Sequence, residues 1–371
     1  MAPEQDNPSA PKAARRHFSV PQAVPEAERH GPEDEDGAGR RAVRSVDWAS
    51  FRFIDLFAGI GGLRLGFESV GGRCVFSSEW DADAQTSYEA NFGHRPAGDI
   101  TAIDPAGIPA HDVLLAGFPC QPFSIIGDRK GFGDTRGTLF FNVEEILRAQ
   151  RPAAVLLENV KQFKTHDEGR TYRTVVRSLA SLGYFTHTAI LNALHYGVAQ
   201  RRERTFIVGL RADLPFRFPA PVERAATLEG VLEDDGAVDR KLWASEAIQR
   251  KRLERVRAQG QEPFYPSIWH ENKGGHIGMH PYSCALRANA SYNYLLVNGR
   301  RRPSGRENLR LQGFPDSYRI AVPYGAIRKQ AGNSVAVPVI RAIAESMMRT
   351  LRGEAEAAAP VVVRSGEFTL R

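Results

Sequence analysis

The segment DLFAGIGGLRLGFE, residues 55–68, limits the possible folds more than any other stretch. An apolar run enters it, Gly59, Gly61 and Gly62 interrupt it, and a stretch with helical spacing leaves it. A strand that turns through glycines into a helix is the opening unit of a βαβ chain, and such a turn lets a ligand approach the backbone at the helix N-terminus. The alternation continues beyond it. FRFIDLFA, CVFSSEW, DVLLAG at 112–117, AAVLLENV at 153–160 and RTFIVGLR at 204–211 read as strands. LRLGFESV, DADAQTSYEANF and TLFFNVEEILRAQ read as the intervening helices. This order predicts an α/β domain built on a mainly parallel sheet.

The alternation has clear limits along the chain. Residues 1–47 mix Pro, Ala, Glu and Arg without apolar periodicity and are expected to be disordered. Residues 48–211 form the expected catalytic and cofactor-binding domain. From 212 to 325 Pro and Gly rise and regularity fails, which predicts a second, smaller and irregular domain. Its segment 240–259, RKLWASEAIQRKRLERVRAQ, reads as a basic helix, either a solvated charge run or a surface for nucleic acid. Residues 326–352 become regular again, and their second half is an amphipathic helix able to return to the first domain. The tail, 353–371, has no assignment.

Composition excludes several classes. Charged residues are 25% and apolar residues 42%, as in a soluble globular enzyme, and apolar runs are too short to span a bilayer. The charged, Pro-rich N-terminus has no secretory pattern, so a cytoplasmic protein is expected. The net charge of +6 rests on an excess of Arg, which suits phosphate and guanine or else reflects a GC-rich genome. Three cysteines, Cys74, Cys120 and Cys284, stand far apart with no zinc spacing and no disulfide framework. Cys74 and Cys284 read as structural.

Glu79 closes the second strand about 20 residues after the glycine turn, where a carboxylate can hold ribose hydroxyls. The turn reads FxGxGG rather than the dinucleotide pattern GxGxxG, and no GK[ST] follows it. This leans toward a nucleoside cofactor without a phosphate cradle, S-adenosylmethionine, with a dinucleotide as the alternative. Asp99, beside Ile100, is a candidate for the adenine amino group.

Cys120 lies in GFPCQPFS between Pro119 and Pro122, directly after a strand. It has no neighbouring histidine to activate it. A buried, inert thiol is the rival reading, but other strand ends carry chemistry too. Glu158 ends the strand LLENV, with Asn159 available for capping, and Arg202 and Arg204 stand two apart, facing the same way in a strand. Thiol, acid and arginines therefore collect at the carboxyl edge of one sheet, where α/β enzymes place their ligands.

Six motifs, DLFAGIGG, GFPCQPFS, ENV, QRRERTFIVG, RENLRLQGFPDSY and KQAGNSVAVPV, occur in order over roughly residues 51–350. This series resembles that of bacterial C5-cytosine DNA methyltransferases. The resemblance implies a Rossmann-like methyltransferase sheet, S-adenosylmethionine as cofactor, and a cytosine flipped from double-stranded DNA as substrate. It places Cys120 on C6 of the base, Glu158 on N3 and the exocyclic amine, and Arg204 as the orienting cation. Arg202 is a second cation, toward phosphate. Implied cofactor contacts are Asp55, Phe57, Ala58, Gly59, Ile60, Gly61, Glu79, Trp80, Asp99, Ile100, Pro119, Asn333 and Val335. Implied DNA contacts are Gln121, Ser124, Arg300, Arg301 and Arg302, and ANASYNYLLVNGRRRP is the favoured base-reading segment. No metal is expected. The enzyme is expected to be a monomer and the modification half of a restriction–modification system, paired with a cognate endonuclease without necessarily binding it. A catalytically idle DNA-binding relative would lose the Pro-Cys dipeptide or Glu158, which are present. An NAD-dependent dehydrogenase would leave the thiol, Glu158 and the arginine pair without roles.

Overall fold

Strands β2 (Arg52–Leu56), β3 (Arg73–Ser78), β4 (Val113–Ala116), β5 (Ala154–Val160) and β8 (Glu203–Leu210) form where the apolar runs lie. The computed structural model describes residues 28–32, 46–119, 139–222 and 226–354. Two further strands join these five to make one sheet, β1 (Glu28–His30) and β6 (Phe185–Asn192), in the order β1-β6-β8-β5-β4-β2-β3. Within it β3, β2, β4 and β5 run parallel, and β8 lies antiparallel between β5 and β6. Because β5 and β6 both oppose β8, they share a direction, so the sheet is mainly parallel.

Alternate side chains of the central strands point to opposite faces, as the two-residue period of a strand requires. Phe53, Val113, Leu115 and Leu156 face one side with Leu63 and Phe67 of α1 (Gly62–Glu68) and Val339, Ile340, Ile343 and Met347 of α8 (Val337–Leu351). Ile54, Leu56, Leu114 and Leu157 face the other with Phe140, Val143 and Leu147 of α3 (Leu139–Gln150) and Val175 and Leu179 of α4 (Arg170–Ser181). The amphipathic C-terminal helix thus returns to the first sheet. Helix α2 (Ala82–Phe92) follows β3, with Asp81 accepting the Ala84 N–H at its N-terminus.

The second region holds α5 (Glu246–Ala258) and a three-stranded antiparallel sheet in the order β10-β9-β12, from β9 (Ile268–Glu271), β10 (Ile277–His280) and β12 (Leu295–Val297). A two-residue strand, β11 (Ser283–Cys284), runs parallel to β7 (Gln200–Arg201) and fastens this region to the edge of the first. Helices α6 (Gly305–Arg310) and α7 (Tyr324–Asn333) lead back to α8.

Two expectations need correction. The segment 1–47 is not structureless throughout, because Glu28–His30 adds an antiparallel edge strand to β6. Glu28 Oε1 pairs with Lys164 Nζ at 2.7 Å, and Arg29 pairs with Asp213. The basic helix begins at Glu246 rather than 240, since Asp239 caps a separate turn at Arg240–Leu242. Nor is that helix only a solvated run: Arg252 Nη2 reaches Glu271 Oε2 at 2.8 Å, and Arg255 pairs with the same carboxylate.

Candidate active site

The turn between β2 and α1 is strained on purpose-built backbone. Phe57, Gly59 and Gly61 have φ of 56°, 55° and 78°, and a left-handed phenylalanine costs about 1–2 kcal/mol. Hydrogen bonds from Ala58 N–H to the Ser78 carbonyl (2.9 Å) and from Gly61 N–H to the Ala58 carbonyl (2.8 Å) hold it. Among the described residues a β-carbon on Gly59 would have only the Phe57 carbonyl nearby, at 4.0 Å, and no other described residue enters the space beside the backbone. Glu79 borders this space. Its Oε2 accepts the Gly59 N–H and its Oε1 the Asp81 N–H, both at 2.8 Å. Burial raises its pKa, opposed by those two amides. Trp80 beside it is 78% exposed, an unusual state for the largest side chain.

Helix α7 packs against α2 through Lys329 Nζ to Asp81 Oδ2 (2.7 Å) and Ser87 Oγ to Gln330 Oε1 (2.9 Å). The turn after α7 then rests directly on α1. A β-carbon on Gly62 would lie 2.7 Å from Val335 Cγ2 and 2.8 Å from Ser334 Oγ, so only glycine admits this contact. Asn333 is exposed on that turn. Asp99 is also exposed and caps the turn at Ile100–Ala102 through the Thr101 N–H (2.9 Å). Four of the expected cofactor side chains instead face the interior, one of them Val335, in the core with Leu63, Val339 and Ile340. Ile60 packs with Leu65, Phe314 and Tyr318, and Ile100 packs among Ile54, Leu56 and Ile108. Asp55 is fully buried, and burial holds its pKa well above the usual range against the pull of Arg64.

At the neighbouring strand ends, β5 delivers Glu158, 9% exposed, and Arg204 Nε meets its Oε1 at 3.0 Å. Burial raises the Glu158 pKa against the opposing pull of Arg204 and Arg202. Its Oε2 lies 3.5 Å from where a β-carbon on Gly117 would sit, at the end of β4. Pro119 follows, exposed. Cys120, Gln121 and Ser124 lie outside the described residues. Asn159, expected as a cap, instead donates Nδ2 to the Phe118 carbonyl at 2.9 Å and accepts the Val160 N–H. It therefore fixes the strand end that leads into the Pro-Cys segment.

Arg202 is not placed toward phosphate. It is 3% exposed and donates Nη1 to the Leu286 carbonyl (3.0 Å) and Nη2 to the carbonyls of Gly332 (3.1 Å) and Ser334. The triple arginine of the second region also divides. Arg300 is exposed, with its guanidinium 5.8 Å from the Tyr265 ring centre. Arg302 is half-buried against the Leu242 carbonyl and the Tyr292 ring. Arg301 is only 1% exposed and spends its donors on Asp235 and Glu307, so it is no DNA contact. Gln200, unassigned from sequence, donates to the Leu311 carbonyl (2.6 Å) and accepts the Leu286 N–H (2.8 Å). Its position two residues before Arg202 in a strand was the available signal.

A strained glycine turn after β2 with an acid at the end of β3, and a carboxylate–arginine pair at the end of β5 beyond β4, define an α/β methyltransferase fold. Solved structures share it. A Spodoptera frugiperda DNMT2 variant aligns with a TM-score of 0.63 at 22% identity over 80% of this chain and 99% of its own. S. pombe Dnmt2 methyltransferase aligns with a TM-score of 0.62 at 20% identity over 81% and 98%. The profile of the C-5 cytosine-specific DNA methylases matches residues 51–349, and the chain belongs to that family. It is 56% identical to Type II methyltransferase M.NgoBI of Neisseria gonorrhoeae over 79% of this chain and 91% of that protein. Against Type II methyltransferase M.HaeII of Haemophilus aegyptius it is 55% identical over 81% and 94%. The protein is a DNA (cytosine-5-)-methyltransferase.

Proposed function

We propose that this enzyme methylates C5 of a cytosine rotated out of a specific duplex sequence, using S-adenosylmethionine and a transient bond between Cys120 Sγ and C6. The observation that carries this reading is the buried Glu158–Arg204 pair, set against Gly117 at the end of the strand that runs on to Cys120.

The residues at the glycine turn fit the cofactor. Open space beside Gly59 suits a ligand without phosphates, the Glu79 oxygens keep lone pairs for ribose hydroxyls, and exposed Trp80 offers a face for adenine. Asp99, Asn333 and Pro119, candidate contacts for the same cofactor, are all exposed, Pro119 just beyond the end of β4. When bound, S-adenosylmethionine supplies an electrophilic methyl group.

The chain's own residues make cytosine receptive. Cys120 adds the electron pair of its thiolate to C6, and the C5–C6 π pair moves into the ring toward N3. Glu158, whose burial favours the protonated carboxyl, gives its proton toward N3 and neutralises the developing charge. Arg204 fixes that carboxyl by holding Oε1, leaving Oε2 to the base. This explains a nucleophile without a histidine: the substrate is activated instead. Once C5 carries the methyl group, a base removes the C5 proton, Glu158 takes back the proton from N3, the C5–C6 double bond re-forms and the Cys120 thiolate departs.

A stacked base cannot reach this edge, so the nucleotide rotates out at a cost of a few kcal/mol. Residues 212–325 serve as the target-recognition domain, with Arg300 and the exposed side chains of 287–292 toward DNA. Kinship with Type II methyltransferases supports a role as a monomeric, cytoplasmic modification enzyme paired with a restriction endonuclease.

Bisulfite sequencing of DNA from cells expressing the protein should show one short sequence protected at a single cytosine. Cys120→Ala should abolish that signal while sequence-specific DNA binding survives. Undiminished methylation by this variant would overturn the covalent mechanism.

A further inference from the structure

Residues 200, 202 and 204 alternate along β7 and into β8, so their side chains share one face. All three hold something. Gln200 accepts the Leu286 N–H at 2.8 Å and Arg202 donates to the Leu286 carbonyl at 3.0 Å, so both backbone groups of Leu286 are gripped from one strand. The same Arg202 guanidinium reaches Gly332 and Ser334, whose turn packs on Gly62 of the cofactor loop. Arg204, two residues on, holds Glu158.

Stability does not explain the choice of arginine here. A buried cation bonded only to neutral carbonyls, beside a second arginine, carries a desolvation cost that a neutral donor would avoid. What arginine adds is a rigid planar fork able to bridge two separate segments at once.

We propose that Arg202 is a positioning residue that couples the 284–288 segment of the recognition domain to the 332–335 turn of the cofactor site, and through their shared strand to Glu158. This rests on the functions proposed above for those two regions. The Leu286 carbonyl cannot shift as DNA is engaged without carrying the fork, and the fork cannot move without the Gly332 and Ser334 carbonyls. The DNA-engaged segment and the cofactor-engaged turn are thereby selected together, and the coupling acts equally in both directions.

The test uses the full-length protein and S-adenosylhomocysteine, titrated with either the duplex sequence identified by bisulfite sequencing or a scrambled duplex. The wild type should bind S-adenosylhomocysteine about tenfold tighter with the cognate duplex, within the usual range of coupling between sites. Arg202→Met should bring that ratio to within about twofold of unity. Arg202→Gln keeps a donor for one carbonyl but cannot span both segments; it should fold and lose the ratio as well. Arg301→Met, destabilised elsewhere in the recognition domain, should keep the wild-type ratio. The proposal is overturned by a wild-type ratio near one, by an unchanged ratio in the Arg202 variants, or by equal loss in Arg301→Met. Absence of any methylated sequence would instead strike the proposed function itself.

Discussion

Replacing Arg301 by methionine should be among the most damaging single changes outside the active site. Its partner Glu307 is fully buried and collects four donors: Arg301 Nη1 (2.8 Å), Arg301 Nη2 (2.9 Å), the Ser304 N–H (2.7 Å) and the Glu233 N–H (2.8 Å). Arg301 Nε meanwhile meets Asp235 Oδ1 at 2.6 Å. Methionine keeps the length of the side chain but removes the cation, leaving a buried carboxylate with two amides. Breaking a buried pair from one side typically costs about 3–5 kcal/mol, which is roughly 10²–10⁴ in the unfolding constant. With a urea slope of about 2–3 kcal/mol/M, the midpoint should fall by roughly 1–2 M. The double variant Arg301→Met/Glu307→Leu removes both charges and should lose much less than the sum of the single changes. Urea titrations followed by tryptophan fluorescence and circular dichroism measure all three. DNA binding gives a second check at a temperature where the variant is folded, because a residue off the phosphate backbone leaves the salt slope unchanged. A midpoint shift below about 0.3 M, additive single changes, or a salt slope smaller by about one would refute the reasoning.

Three further outcomes follow from the site and the sheet. Glu158→Gln should slow methyl transfer by about 10²-fold or more with folding intact, measured with labelled cofactor, and unchanged turnover would remove Glu158 from proton donation. Deleting residues 1–32 removes β1 and its surface ion pairs, so methylation rates should stay within about twofold while stability falls by about 1 kcal/mol. Loss of activity would show that the edge strand does more than cover β6. His187 on β6 is buried against Phe216, and burial together with Arg29 lowers its pKa to about 4. The unfolded chain therefore takes up this proton first. The contribution of His187 to stability is complete above pH 6.5 and is lost as pH falls toward 4. His187→Phe should flatten that part of the pH–stability curve, and parallel curves for the two proteins would contradict the assignment.

The sheet was readable where burial on both faces writes an apolar run, as in VLLA of β4 and AVLLENV of β5. Strand β6, FTHTAILN, was missed because Thr186, His187 and Thr188 are buried polar residues that mimic a loop. Helix α4 escaped notice behind a start with no capping side chain, Gly169 in a left-handed turn. At the site, the strand-edge positions of Glu158, Arg202 and Arg204 were legible from strand ends and two-residue spacing, whereas the choice of Arg204 as the cation for Glu158 came only from the family resemblance. Arg301 was not. Three consecutive arginines look solvated, and nothing local reveals that Asp235 and Glu307 will enclose the middle one. Arg202 failed for the same reason, since its carbonyl partners at 286, 332 and 334 lie far away in sequence.

The contact of Gly62 with Val335 also has a consequence for synthesis. Roughly 270 residues separate the two, and at ribosomal rates about 15–55 s pass between their appearance. During that interval α1 has neither the 334–335 turn above it nor α8 beside it, and Leu63 and Phe67 lack the apolar neighbours that α8 supplies. A nascent or truncated chain therefore holds every glycine of the cofactor loop without the wall that closes it. Such a high sequence separation makes folding slow, and the wall of the glycine loop is complete only with α8, the last helix among the described residues.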